Sequence, residues 1–389
     1  MHRRRLLPYL LALMFVPALG LGAATAHAAD VRALNPPTGL RNAGVTGTSV
    51  SLVWQPPAGG KVASYDVVRD GVVTGTATIP SAMAVGLKPA TTYRFTVRAR
   101  DAAGIASRDS APLNVTTTAD PGGGGGAVTW AGARSSSYGI SPFPAPCGWT
   151  TAMKTINGYF PGSTPAGVWI VGHLSGNGVQ LEFPKPKGAK KIPHVTFSGT
   201  DKHESYLDYF DTHGIKVWLQ VESGFADMGT LIDLVLKRYR HHPSVLGFGV
   251  DVEWFNPRGA DLNDPVTDAL AQAWESRVKS HNPRYTLFLK HFDQSSMPPT
   301  YRGQIVFVDD SQGFPNAAAF LAEMKAWADR YHPNPVLYQL GYGTDKGWWN
   351  REAKPVPKSL ATKLQSVTRQ PWGIVWVDFT LRDVLPTTC

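Results

Sequence analysis

The chain has little cysteine, with only Cys147 and Cys389 among its 389 residues. Two thiols so far apart are too few for a disulfide-built scaffold and do not form a zinc-binding pair. The histidines lack the helical spacing with glutamate that marks a zinc protease, so we expect no metal and no cofactor. In an oxidising compartment the two cysteines are able to pair, tying the start of the main domain to the last residue.

Long apolar runs are also scarce. Three arginines at positions 3–5 precede an apolar stretch over 6–21, and Ala26, His27 and Ala28 follow it. This order predicts a secretory signal peptide over 1–28, because the apolar stretch is short for a membrane anchor and is broken by Pro8 and Pro17. No later segment is apolar for long enough to span a bilayer, so we expect an exported protein with no membrane contact after cleavage.

Clusters of like charge are also scarce. The net charge is +9 and the isoelectric point is about 9.4, but the basic residues are scattered along the chain. The one tight group is Lys185, Lys187, Lys190 and Lys191, and it lies among proline and glycine in a predicted surface loop. We therefore expect no nucleic-acid partner, and the charge says little about a substrate.

A run of glycines over 122–126 divides the chain, because it cannot pack a core and behaves as a flexible tether. The predicted organisation is a signal peptide over 1–28, a β-sandwich over 33–118, a linker over 119–127 and a larger domain over 128–389. In the sandwich, short alternating runs over 49–54, 64–69 and 93–100 are separated by turn residues.

The sandwich resembles a fibronectin type III domain over nearly its full length. The resemblance rests on two prolines at 36 and 37, Trp54 on the second strand, Tyr65 on the third, and the segment LKPATTYRFTV over 87–97. It implies that Trp54 is a core residue and that Tyr93 forms the tyrosine corner. Such a domain carries no catalytic residues and implies a spacer role.

The larger domain has the length of a single (β/α)8 TIM barrel. Eight strand candidates occur at 167–171, 194–198, 216–221, 245–252, 285–290, 304–308, 335–340 and 373–377. Helical patterns lie between them at 204–212, 228–239, 265–279, 317–331 and 359–367, which predicts repeated βα units and a parallel sheet. A doubly wound open sheet is the alternative, and the glycine-rich phosphate loop typical of that fold is not evident after the first strand.

The fourth strand candidate ends in two carboxylates. Strand side chains alternate, so Gly249, Asp251 and Glu253 share one face and Phe248 and Val250 the other. An acidic face is unusual in a buried parallel strand, which favours a chemical role over packing. Glycoside hydrolysis is the commonest chemistry that needs a carboxylic acid of raised pKa beside a second carboxylate.

Polar residues also follow the neighbouring strand candidates, at the end where barrel enzymes keep their active sites. The aromatic pair Trp348 and Trp349, in a predicted loop after the seventh strand, offers flat faces for sugar rings. The polar residues at the ends of strands three to eight are Glu222, Asp251, Glu253, His291, Asp293, Asp309, Asp310, Gln339, Tyr342, Asp345 and Asp378.

The barrel resembles the chitinase-type glycoside hydrolases of family 18 and the related endo-β-N-acetylglucosaminidases. Their fourth strand ends Asp-x-x-Asp-x-Asp-x-Glu, and the last two acids correspond here to Asp251 and Glu253. The resemblance implies that Glu253 is the general acid and that Asp251 steers the substrate's N-acetyl group. It also implies that Asp310 and Tyr342 contact the sugar at the cleavage point and that Trp376 stacks beneath it.

The sequence departs from this family at three positions. The two earlier aspartates of the fourth-strand motif are Leu246 and Gly249, and the sixth-strand tyrosine that contacts the N-acetyl group is Asp309. Three alternatives therefore stay open: a retaining barrel glycosidase acting on neutral glucans, a chitinase-like lectin, and an adhesion module. We expect a monomer that binds a poly- or oligosaccharide, with Glu222, Asp309, Gln339, Trp348 and Trp349 as further sugar-binding residues.

Overall fold

A computed structural model describes residues 34–45, 50–84, 87–118, 126–257 and 264–389. The predicted signal peptide, 1–28, and most of the predicted linker, 119–127, lie outside the described residues. Seven antiparallel strands form the first part in two sheets, ordered β1-β2-β5 and β4-β3-β6-β7. These strands are β1 (Thr38–Val45), β2 (Val50–Gln55), β3 (Ser64–Arg69), β4 (Val72–Ala77), β5 (Ser81–Ala84), β6 (Thr92–Arg100) and β7 (Leu113–Thr116).

The inner faces of the two sheets meet around Trp54 and Tyr65, whose rings pack edge to face with centroids 5.2 Å apart. The hydroxyl oxygen of Tyr93 accepts a hydrogen bond from the backbone N–H of Lys88 at 2.8 Å. This is the predicted tyrosine corner, which ties the start of β6 to the backbone just upstream. The β-sandwich expected from the alternating runs is thus confirmed.

Ten further strands lie among the described residues of the second part, and eight of them close into a parallel barrel in the order β8-β9-β12-β13-β14-β15-β16-β17, with β17 paired back to β8. The expected TIM-barrel fold is confirmed. The strands are β8 (Val128–Ser135), β9 (Thr164–Ser175), β10 (Gly178–Leu181), β11 (Val195–Phe197), β12 (Lys216–Val221), β13 (Val245–Asp251), β14 (Thr286–His291), β15 (Val306–Asp309), β16 (Val336–Leu340) and β17 (Trp372–Val377).

One predicted barrel strand is wrong and another was missed. The segment predicted over 194–198 becomes β11, which pairs only with β10 outside the closed barrel. The first barrel strand is β8, whose sequence VTWAGARS has small residues and an arginine in place of a β-branched run. One predicted barrel strand is lost and one unpredicted strand is added, both before the third strand. Strands three to eight therefore keep their predicted numbers.

Eight helices of the described residues accompany the barrel strands. The predicted helices over 228–239 and 317–331 have the observed bounds, and those over 204–212, 265–279 and 359–367 are shifted by a few residues. Side chains of Asp227, Thr267 and Asn316 cap three helix N-termini by accepting backbone N–H groups. The helices are α1 (Pro146–Asn157), α2 (Glu204–His213), α3 (Met228–Tyr239), α4 (Asp268–His281), α5 (Ala317–Tyr331), α6 (Lys346–Trp349), α7 (Val356–Gln365) and α8 (Leu381–Val384).

A disulfide bond joins Cys147 on α1 to Cys389, with the two Cα atoms 5.3 Å apart. The pairing considered from the sequence is therefore confirmed. Within the part of the chain that the structure describes, no helix has the length and apolarity needed to cross a bilayer.

Alternation along the barrel strands separates two apolar clusters. The larger cluster fills the space between the outside of the barrel and the helices. The smaller fills the inside of the barrel, and Gly249 leaves room there for Phe288, since a Cβ atom at Gly249 would lie 2.0 Å from the Phe288 ring. The inside cluster consists of Ala166, Val168, Trp218, Phe288, Val306, Val308, Leu337 and Val375.

Candidate active site

A ring of inward-facing polar side chains lies directly above the inside cluster, at the carboxyl end of the strands. Each member lies two positions after an inward apolar or small residue, five of them on a barrel strand and Asp310 directly after β15, so alternation aims all of them into the mouth of the barrel. All six are at most 4% exposed. They are Arg134, Gln220, Asp251, Lys290, Asp310 and Gln339.

Lys290 joins two acids at the centre of this ring. Its Nζ lies 2.9 Å from Asp251 Oδ2 and forms a second ion pair with Asp310 Oδ2. Burial acts to lower the pKa of Lys290, but the two carboxylates outweigh it and hold that pKa well above its ordinary value. Lys290 is therefore an ammonium ion that occupies the position between the two acids.

Asp251 lies at the last position of β13, where it is 1% exposed. Burial raises the pKa of Asp251 to about 8, and the charges of Asp310 and Glu222 act in the same direction while Lys290 opposes them. Gln220 Nε2 donates to Asp251 Oδ2 at 3.1 Å, so the side chain has a fixed orientation. The raised pKa favours the protonated form of this carboxyl group, which is able to donate a hydrogen bond.

Glu253 lies just beyond the strand. The strand ends at Asp251, not at Val252 as predicted, and Glu253 belongs to a short 3-10 turn over Val252–Trp254. Burial raises the pKa of Glu253, and the nearby Asp310 and Glu222 add to the effect while Lys290 opposes it. The side chain is half-buried, and no described residue donates a hydrogen bond to its carboxylate. The raised pKa favours the protonated form of Glu253, and no described side chain competes for its proton.

Glu222, directly after β12, anchors a second network of the mouth. Its Oε2 accepts the backbone N–H of Leu174 at 2.9 Å, and its Oε1 accepts the hydroxyl proton of Tyr138. Arg134 donates to the Tyr138 hydroxyl at 2.7 Å and forms an ion pair with Asp378, also at 2.7 Å. The network neutralises Asp378 and fixes Tyr138 over the mouth.

Tyr342 and Gln339 complete the mouth on the side of β16. Gln339 Nε2 donates to the Tyr342 hydroxyl oxygen, and both side chains are buried. Burial raises the pKa of Tyr342, and the charge of Asp310 raises it further. The Tyr342 hydroxyl therefore stays protonated next to the acidic cluster. The structure brings together Glu222, Asp251, Glu253, Asp310, Gln339 and Tyr342 from the residues predicted for the site.

Two predicted sugar-binding residues face away from the mouth. Val375 points into the barrel, so its neighbour Trp376 points outward, where it is fully buried and packs edge to face on Trp349 with centroids 5.2 Å apart. Asp309 likewise lies on the outer side of β15, fully buried, with one oxygen accepting the backbone N–H of Ser311 at 2.9 Å. Burial raises the pKa of Asp309 well above its usual value.

The predicted tryptophan platform is also placed differently from the expectation. Trp349 belongs to α6, is 1% exposed and donates to the backbone carbonyl of Tyr342 at 2.9 Å. Trp348 is partly buried and packs on Phe320 with centroids 5.2 Å apart. Both side chains support the loop after β16 by packing, and the buried Trp349 presents no open ring face, whereas part of Trp348 stays exposed.

Three exposed aromatic residues that the sequence analysis missed follow strand ends at the carboxyl side. Tyr138, Phe292 and Phe379 are 52%, 46% and 48% exposed. Arg134 lies beneath two of them, with its guanidinium carbon 5.3 Å from the Tyr138 ring centroid and 5.2 Å from that of Phe379. Exposed aromatic rings at the rim of a polar mouth offer stacking surfaces for sugar rings.

The mouth offers no vacant position for a cation between its central acids, because the Lys290 ammonium already lies there. Two groups of three metal-ligand side chains occur elsewhere among the described residues, and both include His242. They lie at the turn entering β13, at the other end of that strand from Asp251.

Comparison with known proteins supports the fold of the first part of the chain. Residues 35–116 match the family model for the fibronectin type III domain, as the sandwich predicted. Chitinase Chi52 of Paenibacillus xylanexedens is 45% identical over 83 residues, which are 21% of this chain and 16% of that protein. Exoglucanase B of Cellulomonas fimi is 44% identical over 93 residues, covering 24% of this chain and 8% of its own length.

One similarity extends further. Chitinase D of Niallia circulans is 39% identical over 262 residues, covering 62% of this chain and 46% of that protein. Residues 1–127 are about a third of the chain, so this alignment must reach into the barrel. The chain spans less than half the length of each of these three relatives.

Proposed function

We propose that the barrel is a glycoside hydrolase that cleaves β-linked polysaccharide or oligosaccharide containing N-acetylglucosamine. The observation that carries the proposal is the pair at the end of β13. Glu253 is half-buried with a raised pKa, and it lies two positions after the buried Asp251, whose pKa its charge helps to raise. A protonated acid next to a second carboxyl group, in the mouth of a barrel, is what glycosidic bond cleavage requires.

In this proposal Glu253 is the general acid. It gives its proton to the glycosidic oxygen as the bond to the sugar's anomeric carbon breaks, and it recovers a proton from the water that completes hydrolysis. The raised pKa favours the protonated form of the acid in the free enzyme. Positive charge that develops on the sugar is stabilised by the acidic surroundings of the mouth.

Asp251 has the assisting role. Its hydrogen bond from Gln220 and its contact with Lys290 fix its orientation, and its raised pKa favours the protonated form. It is therefore able to hold an N-acetyl group in place while that group's carbonyl oxygen attacks the anomeric carbon, so no separate protein nucleophile is needed. Such substrate assistance is a known exception to the scheme with two enzyme carboxylates.

The remaining mouth residues divide between orientation and binding. Asp310 stays bound to Lys290, and Tyr342, held by Gln339, offers its hydroxyl proton to the sugar. Tyr138, Phe292 and Phe379 replace the predicted tryptophans as the exposed stacking surfaces. The similarity to chitinase D supports an N-acetylglucosamine polymer over a neutral glucan, because that alignment is long enough that it must include part of the barrel.

We also propose that the protein is exported and acts as a monomer. The predicted signal peptide over 1–28 directs export, and the disulfide between Cys147 and Cys389 suits an oxidising compartment. The sandwich then serves as a spacer that carries no catalytic residue.

Hydrolysis of a substrate panel tests the proposal. The full-length protein is incubated with β-linked N-acetylglucosamine oligomers, N-glycans and neutral glucans, alongside Glu253→Gln, Asp251→Asn and a control, Glu323→Gln. Glu323 on α5 accepts from Trp327 Nε1 at 3.0 Å, and glutamine is able to keep that bond. We expect cleavage of N-acetylated substrates, a loss of a hundredfold or more in both site variants, and an unchanged control.

Two other results would overturn parts of the proposal. Cleavage of neutral glucans alone requires a protein nucleophile or base and removes Asp251 from its assisting role. Binding of N-acetylated oligomers without any cleavage assigns the protein to the chitinase-like lectins.

A further inference from the structure

We propose a zinc site between helix α2 and the turn that leads from α3 into β13. Its ligands are Glu204 at the start of α2 and the neighbouring residues His241 and His242. The site does not depend on the proposed hydrolase activity. It lies at the entry of β13, about 20 Å along the strand from Asp251.

His242 is the residue that points to a cation. Its side chain is 1% exposed, and its Nδ1 lies 2.7 Å from Asp211 Oδ2. Because a carboxylate only accepts, Nδ1 carries the proton of this hydrogen bond. Asp211 is itself fixed, since its other oxygen accepts the backbone N–H of Ser244 at 2.8 Å.

The opposite nitrogen of His242 has no hydrogen-bond partner among the described residues, although it is buried. His242 Nε2 faces Glu204 Oε1 at 3.5 Å. In the tautomer with its proton on Nδ1, the ring turns the Nε2 lone pair toward a carboxylate oxygen, and two acceptors facing one another are unfavourable. A cation between them converts this repulsion into two ligand bonds.

His241 aims at the same oxygen. Its Nε2 lies 2.9 Å from Glu204 Oε1, and the three ligand atoms all lie within 4.8 Å of one another. Tetrahedral zinc with bonds of about 2.0–2.1 Å places its ligands roughly 3.3–3.4 Å apart, so small side-chain movements suffice to close the site. Arg238 lies 3.9 Å from the other oxygen, Glu204 Oε2, and is tied to Asp201 at 2.8 Å, which leaves Oε1 for the metal.

The donor set and the access both suit zinc. Two imidazole nitrogens and one carboxylate oxygen are ligands that zinc accepts, and water completes the fourth position. His241 is exposed, and a cavity of about 510 Å³ lined in part by both histidines gives the ion a path from solvent. Asp211 has the supporting role of a carboxylate that orients a zinc-bound histidine from its far nitrogen.

Zinc titration of the full-length protein tests the site. The protein is stripped with chelator, titrated with zinc chloride by calorimetry, and assayed for bound metal after dialysis. We expect about one zinc per chain and a rise in the barrel's melting temperature on zinc addition. His241→Ala and Glu204→Gln should lower the affinity tenfold or more, and Asp211→Asn by about 10- to 100-fold.

His213→Ala is the matched control, because His213 ends the same helix and stacks on Tyr209 away from the ligands. The affinity of the His213→Ala variant for zinc should equal that of the parent protein. His241 is exposed, so its replacement leaves the fold intact and keeps the test decisive even if a variant at buried His242 does not fold. No binding at millimolar zinc, or equal binding by His241→Ala, would overturn the proposal and leave His242 as a histidine of the core.

Discussion

Replacing Lys290 by methionine separates the charge network of the mouth from its packing. Methionine keeps most of the side-chain volume but removes the ammonium that joins Asp251 and Asp310. The three side chains are 3%, 2% and 5% exposed, so solvent cannot replace the lost contacts. Removing one partner of a buried ion pair costs about 3–5 kcal/mol of stability, and we expect a loss in this range.

The loss should depend on pH in a defined direction. Asp251 has a folded-state pKa of about 8, above its unfolded value, so stability falls as pH rises between these two values, where the unfolded chain has released a proton that the folded chain still holds. Lys290 opposes the rise of that pKa, so the variant's Asp251 has a still higher pKa and goes on losing stability above pH 8. The difference in the free energy of unfolding between Lys290→Met and the parent protein is therefore steady near pH 6 and larger at pH 9.

Urea unfolding followed by tryptophan fluorescence measures the effect. Eleven of the twelve tryptophans lie beyond residue 127, so the signal reports mainly on the barrel. Lys325→Met is the control, since Lys325 pairs with Asp329 on an exposed helix face and should change stability by about 0.5 kcal/mol or less. A loss below about 1 kcal/mol for Lys290→Met, or one that shrinks between pH 6 and 9, would refute the reasoning.

Three further predictions concern the mouth and its surroundings. Glu222→Gln removes a negative charge that raises the pKa of Glu253, so the alkaline limb of the kcat/KM profile should move down by about half a unit or more; a fixed limb would contradict the assignment. Trp376→Ala should lower the free energy of barrel unfolding by about 3–5 kcal/mol, because the ring is fully buried, with little change in KM. Phe379→Ala should raise KM about three- to tenfold and leave the free energy of unfolding nearly unchanged, because the ring is exposed. A loss of stability with no change in KM would show that this ring does not contact substrate.

Strand periodicity explains which side-chain orientations could be predicted from the sequence and which could not. In β13 the pattern is asymmetric, because Gly249 and Asp251 share one face while Phe248 and Val250 share the other, so the inward face could be predicted. In β17 both faces are apolar, and nothing local says whether Val375 or Trp376 points inward. Trp376 was therefore assigned to the sugar site, whereas the structure places it outside the barrel.

Side-chain contacts between distant segments could not be predicted, for a similar reason. Lys290 ends an apolar strand and has no local signal of its own, and its role appears only when β13, β14 and β15 lie side by side. Tyr138 was missed with its strand, because β8 is built from small residues that do not read as a strand. Trp348 and Trp349 were predicted in an exposed loop, but the short helix α6 turns Trp349 into the core.

The most direct test of the central claim compares two substrates in Glu253→Gln. One is an N-acetylglucosamine oligomer, whose leaving group needs a proton, and the other an N-acetylglucosaminide with an aryl leaving group that departs unprotonated. If Glu253 is the general acid, kcat/KM should fall a hundredfold or more for the oligomer and less than about tenfold for the aryl substrate. An equal fall for both substrates, or no fall for the oligomer, would contradict the account.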